Sequence, residues 1–586
     1  MPDGTTTSTA TEERLTGKRR HGYRWYPMWC VLLIMALVAG WHMSGFGAPH
    51  PCIYSSDEYD VISRSVKLAQ GDLLPIHASK PTAYNVAVAV SYGVDFVVRH
   101  VVSGLSVAQY ERLFFVDPFH FTRLARFINI CFSFGTVLLL LWGLRRCHAL
   151  AWVTGVLLLG LLCNQTVSYR VWAKEDAFAA FWVMLSFVAA NECWHGLASG
   201  AMARRLYVWL GVCAGAAGLA LSTKYNCLPV VLFPCIVGHR LARVAPRSRR
   251  GFVMAALLTG LPLVGGFFVG TPYALLHPFS FVERTLSSPV AHQTGGGFLY
   301  VHNLGKTDLA FLWQMFVSEY WVIPALFIAG AVGLFAARKS RPAAPLILWG
   351  SYVAVYVLML CFSNQLDYQY MLILSPIVVF VVASAYSLRL SRGVLLVVTG
   401  VLSVVAVAVY FDGLRAREAR YYPNEGALFA ENYDVMVGAE NRAKPVLVFS
   451  PFFFRYWPWI ALDRGSYERL YAEAKAAGRE GGWFERAAHW APTNPARQFS
   501  ADFLEIKTGF TVDKDGTRHF ESQPFSLNLA DYRGKYSLFV IPARTLDIVE
   551  RDLPELADFN AFVREALKQP KATETDGFSC AIRLAN

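Results

Sequence analysis

Pro27 to Phe46 reads PMWCVLLIMALVAGWHMSGF, and about a dozen residues later the chain turns acidic at Ser56-Asp57-Glu58-Tyr59. An apolar run of that length crosses a bilayer core as a helix. A carboxylate pair just beyond its end, in a chain built for lipid, calls for a chemical reason. The run is read as a retained span and not as a removed signal peptide. Basic residues precede it, but it is long, flanked by Trp29 and Trp41, and has no small-residue cleavage site.

Working outward, the same pattern recurs. Of 586 residues, 55% are hydrophobic and only 16% charged, with a mean hydropathy of +0.35. So few charges cannot cover a soluble protein of this size. The expected spans are 27–46, 124–144, 149–167, 176–194, 206–222, 225–239, 252–272, 309–336, 344–362, 369–388 and 392–411. Ahead of them, residues 1–26 form a polar cytoplasmic lead, Thr-rich and disordered over its first part. After Asp412 the composition becomes that of a soluble domain. Short apolar runs such as Pro445–Phe449 and Tyr536–Ile541 alternate with charged helical stretches such as 466–478. Residues 412–586 are therefore expected to form an α/β domain.

The net charge of +12 orients the chain and does not imply nucleic acid. Lys18-Arg19-Arg20, Arg145-Arg146, Arg204-Arg205, Arg240 through Arg250, Arg338-Lys339 and Arg389 with Arg392 all fall in connections on one side if about eleven spans alternate from a cytoplasmic N-terminus. That is the positive-inside pattern. The apolar segment 84–105 would invert the assignment if it spanned. Asp95, Arg99 and His100 interrupt it, so it is read as a helix lying in the interface. The eleven cysteines show no CxxC and no metal-ligand spacing. Cys52 and Cys580 both fall outside by this topology, and no bridge between them is expected.

The outer side gathers the unusual polar residues. Loop 48–122 offers Asp57, Glu58, Tyr59, Asp60, Arg64 and Lys80-Pro81. The connection after the third span carries Arg170, Lys174, Glu175 and Asp176, and the one after the fifth carries Lys224-Tyr225. Loop 273–308 holds His277, Arg284, His292, His302 and Lys306, and the connection after the ninth span holds Asp367, Tyr368 and Tyr370. Acids and bases meeting at one membrane face suit an anionic, lipid-tethered substrate. Moving a sugar from a polyprenyl phosphate needs a base for the acceptor hydroxyl and cations for the phosphate. It needs no strong general acid, because phosphate is already a good leaving group, and no metal.

Ser56-Asp57-Glu58-Tyr59, followed by Gly71-Asp72 and Lys80-Pro81, resembles the first outer loop of polyprenyl-phosphate-dependent GT-C glycosyltransferases. These include the protein O-mannosyltransferases and the lipid A aminoarabinose transferases. Trp172-Ala173-Lys174-Glu175-Asp176-Ala177-Phe178 is similar to the second acidic site of that family, and Leu221–Tyr225 and Tyr368–Pro376 are similar to later motifs. The resemblance covers roughly 27–411. It implies Asp57 as catalytic base, with Glu58 orienting base or substrate and Asp176 positioning acceptor or sugar. It also implies Lys80 at the donor phosphate with Lys224 assisting, and Tyr59, Tyr225, Tyr368 and Tyr370 as substrate contacts. Arg284 and Lys306 are added as phosphate ligands from charge and location. Two departures stand out: Thr82 follows Lys80-Pro81 where a second proline is expected, and Asp367-Tyr368 stands where many members have Arg-Tyr.

Blander readings compete. In one of them Asp57-Glu58 and Asp176 only cap a helix N-terminus. Arg170 and Lys174 are read as snorkelling to headgroups, and His277, His292 and His302 as loop histidines. Gly305-Lys306-Thr307 is like a phosphate-binding loop, but Tyr300 stands where its first glycine must be, so that reading is rejected. The expectation is a polytopic α-helical membrane glycosyltransferase of GT-C type, in a bacterial inner membrane, with its site and C-terminal domain periplasmic. It would require no cofactor beyond the polyprenyl-phosphate sugar donor, and would take a lipid, glycan or protein acceptor. The alternative is a transporter or lipid-linked-sugar flippase, which would place its key charges near the bilayer midplane.

Overall fold

The structure is a computed structural model. It describes residues 56–69, 71, 81–116, 118–147, 150–159, 173–244, 249–282, 344–361 and 369–389, isolated positions between 328 and 404, and short stretches between 446 and 583. The expected spans 27–46, 309–336 and 392–411 fall wholly or mostly outside these residues.

The helices, in chain order, are α1 (Ser56–Ala69), α2 (Ala83–Ser103), α3 (Val107–Val116) and α4 (Pro118–Leu144). Next come α5 (Leu150–Leu159), α6 (Glu175–Ala198) and α7 (Ala203–Thr223). A 3₁₀ turn over Tyr225–Val231 leads into α8 (Leu232–Val244), and α9 (Arg249–Gly270) and the short α10 (Pro272–Leu276) follow. The last two are α11 (Ala344–Cys361) and α12 (Gln369–Arg389). Six described helices are long and apolar enough to cross a membrane: α2, α4, α6, α7, the Tyr225–Val244 segment and α9. By length and composition α2 thus qualifies as a span, where the sequence reading lays it in the interface.

α6 is the axis of the bundle, with 83% of its apolar window buried. Ala179, Val183, Phe187 and Ala190 on it are fully covered by α4, α7 and α12. The two long neighbours α6 and α7 run antiparallel. Ser186 Oγ donates to the Cys213 carbonyl at 2.9 Å, and further along Cys193 Sγ approaches the Leu206 carbonyl at 3.5 Å. Where α7 meets α9, side chains vanish: a Cβ at Gly218 would stand 2.9 Å from the Phe267 amide nitrogen, and one at Gly266 would collide with the Gly215 carbonyl. Small residues let helix backbones touch, which is how helices associate where lipid removes the hydrophobic drive.

At the end of α6 remote from Asp176, Glu192 is 2% exposed. Arg145 grips it with two bonds, at 2.7 and 2.6 Å, and Arg146 adds a third at 2.7 Å. The positive-inside pattern accounts for these arginines as inner-loop charges; the structure adds a buried acid, Glu192, that they hold. On the same end, the Arg240 guanidinium lies 3.6 Å from the centre of the Trp194 ring.

α2 is amphipathic in an unusual sense. Val90, Val94, Val97, Val98, Val101 and Val102 make an exposed stripe at the i, i+4, i+7 spacing of one helix face. The opposite face carries buried Tyr84, Val88 and Tyr92, then Asp95 and Arg99. Asp95 Oδ2 gathers Arg99 Nε at 3.0 Å, His120 Nε2 at 2.8 Å and the Tyr110 hydroxyl at 2.9 Å, tying α2 to α3 and α4. Gly104, at φ +68°, ends the helix in the left-handed region that a glycine adopts without cost.

In the C-terminal region, Val446–Phe449 and Leu538–Pro542 are strands β1 and β5. With β2 (Ala501–Leu504), β6 (Lys571–Thr575) and β7 (Ser579–Arg583) they form a sheet in the order β2-β1-β5-β7-β6. The β1 strand lies parallel to both β2 and β5, whereas β7 is antiparallel to both β5 and β6. β3 (Phe510–Val512) and β4 (Arg518–Phe520) make a separate antiparallel pair. The charged stretch 466–478 lies outside the described residues.

Candidate functional site

Two acids that the sequence places far apart are buried at one end of the helical bundle, each with its own cation. Glu58, in the first turn of α1, and Arg126, within α4, are both wholly buried. Arg126 Nε donates to Glu58 Oε1 at 2.9 Å and Nη2 to Oε2 at 2.8 Å. The Ala173 amide adds a bond to Oε1 at 2.7 Å. The guanidinium fork matches a carboxylate in this way, and a bidentate pairing of this kind is what makes two desolvated charges tolerable.

Ala173 leads directly into the second acid. Asn129 Nδ2, one turn after Arg126, donates to the Lys174 carbonyl at 2.5 Å and holds the approach to α6. Lys174 is the N-cap residue of α6 and is 5% exposed. This corrects its reading as a headgroup-facing lysine, because it is enclosed where α4 meets the 173–176 turn. Asp176 sits in the first helical turn, where the N-terminal end of the helix favours negative charge. It does not act as the cap. Lys224, at the C-cap of α7, donates Nζ to Asp176 Oδ1 at 2.5 Å. The aspartate is fully buried while the lysine keeps 14% of its side chain exposed. Asp176 Oδ2 has no hydrogen-bond partner among the described residues.

The surrounding backbone closes the same corner. Thr82 Oγ1 donates to the Gly270 carbonyl at 2.9 Å, and Thr271 Oγ1 to the Ser222 carbonyl at 3.4 Å. Asn85 Nδ2 donates to the Val61 carbonyl at 3.2 Å, docking α2 on α1. The start of α2, the end of α7 and the end of α9 are thus knotted beside Lys224. Tyr225 opens the 3₁₀ turn with its ring 6.4 Å from Phe281.

Of the expected site residues, Glu58, Asp176, Lys224 and Tyr225 are brought to this corner. Asp57 and Tyr59 lie in the same turn of α1 as Glu58, and Tyr370 lies near the start of α12; their side chains fall outside the described residues. Lys80, Arg284, Lys306 and Tyr368 also lie outside them. Among the described residues there is no group of His, Cys, Asp and Glu that could hold a metal ion. Arg126 and Asn129 were missed by sequence reading. Their signal was a polar pair near the mouth of an apolar run, where an ionisable residue deserves a partner.

The arrangement offers one sealed ion pair that locks α1, α4 and the 173–176 turn together, and one half-open pair. In the second pair an acceptor oxygen of Asp176 remains unused and a cation edge of Lys224 reaches the surface. Such a place can receive a hydroxyl and an anion side by side.

No family model matches the chain, and no curated protein matches it. Among solved structures it is similar to ArnT from Cupriavidus metallidurans bound to undecaprenyl phosphate. The identity is 15% over 79% of this chain and 74% of that one, with a TM-score of 0.43. It is also similar to ArnT from Cupriavidus metallidurans in the apo state, at 14% identity over 75% and 69% of the two chains, with a TM-score of 0.38. At that distance the likeness assigns neither a family nor a reaction. The six long apolar helices among the described residues make the chain a helical membrane protein.

Proposed function

We propose that the chain is a GT-C-type membrane glycosyltransferase that moves a sugar from a polyprenyl-phosphate donor to an acceptor hydroxyl at the extracytoplasmic face of a bacterial inner membrane. The observation that carries this reading is the joining of Glu58–Arg126 and Asp176–Lys224 through the Ala173–Asp176 turn at one end of the bundle. Two motifs that resemble separate acidic sites of one enzyme family adjoin through one turn, which supports reading them as a single site. A flippase is expected to place its charges near the midplane instead.

In this reading the acceptor oxygen attacks the anomeric carbon, the carbon–oxygen bond to phosphate breaks, and polyprenyl phosphate leaves with the bonding electrons. Asp57 takes the hydroxyl proton. Glu58 does not touch substrate. Its carboxylate is spent on Arg126 and Ala173, so it orients the turn that carries Asp57. Asp176 Oδ2 accepts a hydroxyl of the acceptor or sugar. Lys224, with Lys80, Arg284 and Lys306, offsets the phosphate charge as it develops. Tyr59, Tyr225, Tyr368 and Tyr370 line the sugar, and residues 412–586 form an extracytoplasmic α/β domain.

The test is a donor-consumption assay in proteoliposomes with a panel of polyprenyl-phosphate sugars and envelope lipid or glycan acceptors, read by mass spectrometry. A product heavier by one sugar, lost at least about 10²-fold in a folded Asp57→Asn, supports the reading. Retained turnover in Asp57→Asn sinks the base assignment. Movement of lipid across the bilayer with no new glycoside would mean a flippase.

A further inference from the structure

α7 and α9 touch backbone to backbone over Gly215–Gly266 and Gly218–Phe267, then part toward the opposite end. Pro262 stands at the junction, with its Cβ 3.8 Å from where a side chain at Gly215 would begin. A proline inside a helix loses one hydrogen bond and presses on the carbonyl four residues earlier, here that of Leu258. The gap that opens is a groove of about 510 Å³ lined by Arg204, Tyr207, Val208, Gly211, Val212 and Leu258. That volume is in the range of about 300–1,000 Å³ of ligand-holding pockets. A Cβ at Gly211 would meet nothing within 4 Å, so the floor is open.

Three observations say what covers it. The groove lies on the lipid side of the bundle, since only 6% of the apolar window of α9 is buried and Val208 is 58% exposed. Its walls are apolar apart from Tyr207 and Arg204. Arg204 sits in the first turn of α7, which holds no acidic residue, and makes no ion pair among the described residues. It also stands at the opposite end of α7 from Lys224, about 30 Å away at 1.5 Å per residue, which is the thickness of a bilayer core. An apolar slot at membrane depth with an uncompensated guanidinium at its mouth fits one amphiphile, an acyl chain below and a phosphate above.

The geometry points to a binding site for an anionic glycerophospholipid between α7 and α9. One acyl chain lies over Gly211 and Leu258, and the phosphate sits on Arg204 in the leaflet remote from the Asp176 site. The guanidinium supplies the two donors that a phosphate takes, and Tyr207 sits at the headgroup level where tyrosine is favoured. This lipid is a structural ligand and takes no part in the reaction proposed above.

Native mass spectrometry of the full chain in detergent, titrated separately with phosphatidylglycerol and phosphatidylethanolamine, tests it. The wild type should retain phosphatidylglycerol preferentially. Arg204→Gln should weaken that retention about fivefold, the factor one basic residue contributes at an anionic lipid surface. Gly211→Leu, which fills the groove, should abolish both adducts. Gly260→Leu, a like change at an open position on α9 that does not line the groove, should leave them unaltered. Equal retention of the two lipids by the wild type would overturn the proposal, as would unchanged phosphatidylglycerol binding in Arg204→Gln. That variant changes an exposed side chain, so its result stands even if Gly211→Leu fails to fold.

Discussion

Arg126 holds Glu58 with two parallel bonds of 2.9 and 2.8 Å, and neither side chain has any exposed surface. A pair so enclosed is a poor place for chemistry and a strong place for a joint. It fixes the helix that carries Asp57 against the strand of backbone that leads into Asp176.

Removing one member therefore leaves the other's charge buried without its counter-ion. Arg126→Met is expected to cost about 3 to 5 kcal/mol, seen as a large fall in the detergent unfolding temperature. Adding Glu58→Gln to it should recover part of the loss. A single Arg126→Met as stable as the wild type would show that the pair is not buried as described.

Asp176–Lys224 should separate stability from activity. Lys224→Met strands a buried carboxylate and should be the less stable single variant. Asp176→Asn keeps the shape and should unfold near the wild-type temperature. Both should lower sugar transfer by about 10² or more, and the double variant Asp176→Asn with Lys224→Met should regain stability without activity. Full activity in the double variant would remove the pair from the site.

The α2–α3–α4 clasp can be read through Tyr110. Burial, and then its bond to Asp95, push the Tyr110 phenol well above its ordinary value. The folded state thus keeps the proton that the unfolded chain releases near pH 10, so this stabilisation is complete below that pH and fades as pH rises beyond it. The difference in unfolding temperature between wild type and Tyr110→Phe should be constant at neutral pH and shrink above about pH 10. A difference that grows with pH would contradict the clasp.

The two kinds of glycine on α7 should respond in opposite directions. Gly218→Ala drives a methyl into the α9 backbone, where overpacking costs about 1 to 3 kcal/mol. Gly211→Ala meets open space and should gain up to about 1 kcal/mol from helix propensity. Thermal unfolding of the two variants side by side decides it.

Much of this was legible in the sequence because the signals are local. Apolar runs of span length became α4, α6, α7 and α9 within a few residues, and the Pro445–Phe449 and Tyr536–Ile541 runs contain most of the paired strands β1 and β5. Asp176 and Lys224 were each singled out, one as an acid and one as a phosphate ligand. That they are partners was not legible, because no local pattern encodes a contact across 48 residues. Arg126 was passed over for a related reason: at the mouth of a span it looks like an end marker, and only the fold turns it inward. Glu192 was invisible in the same way. It lies inside an apolar helix, and its partners Arg145 and Arg146 had already been explained by topology.

α6 is pinned at both ends, Asp176 to Lys224 and Glu192 to Arg145 and Arg146. The two acids stand about 24 Å apart along the axis at 1.5 Å per residue, so the helix is a ruler of set length between the two faces of the membrane. It can neither slide nor tilt alone without breaking a buried charge pair. In a thinner or thicker bilayer the adjustment must therefore fall on the peripheral helices and on the lipid itself, while the height of the Asp176–Lys224 pair above the midplane stays the same.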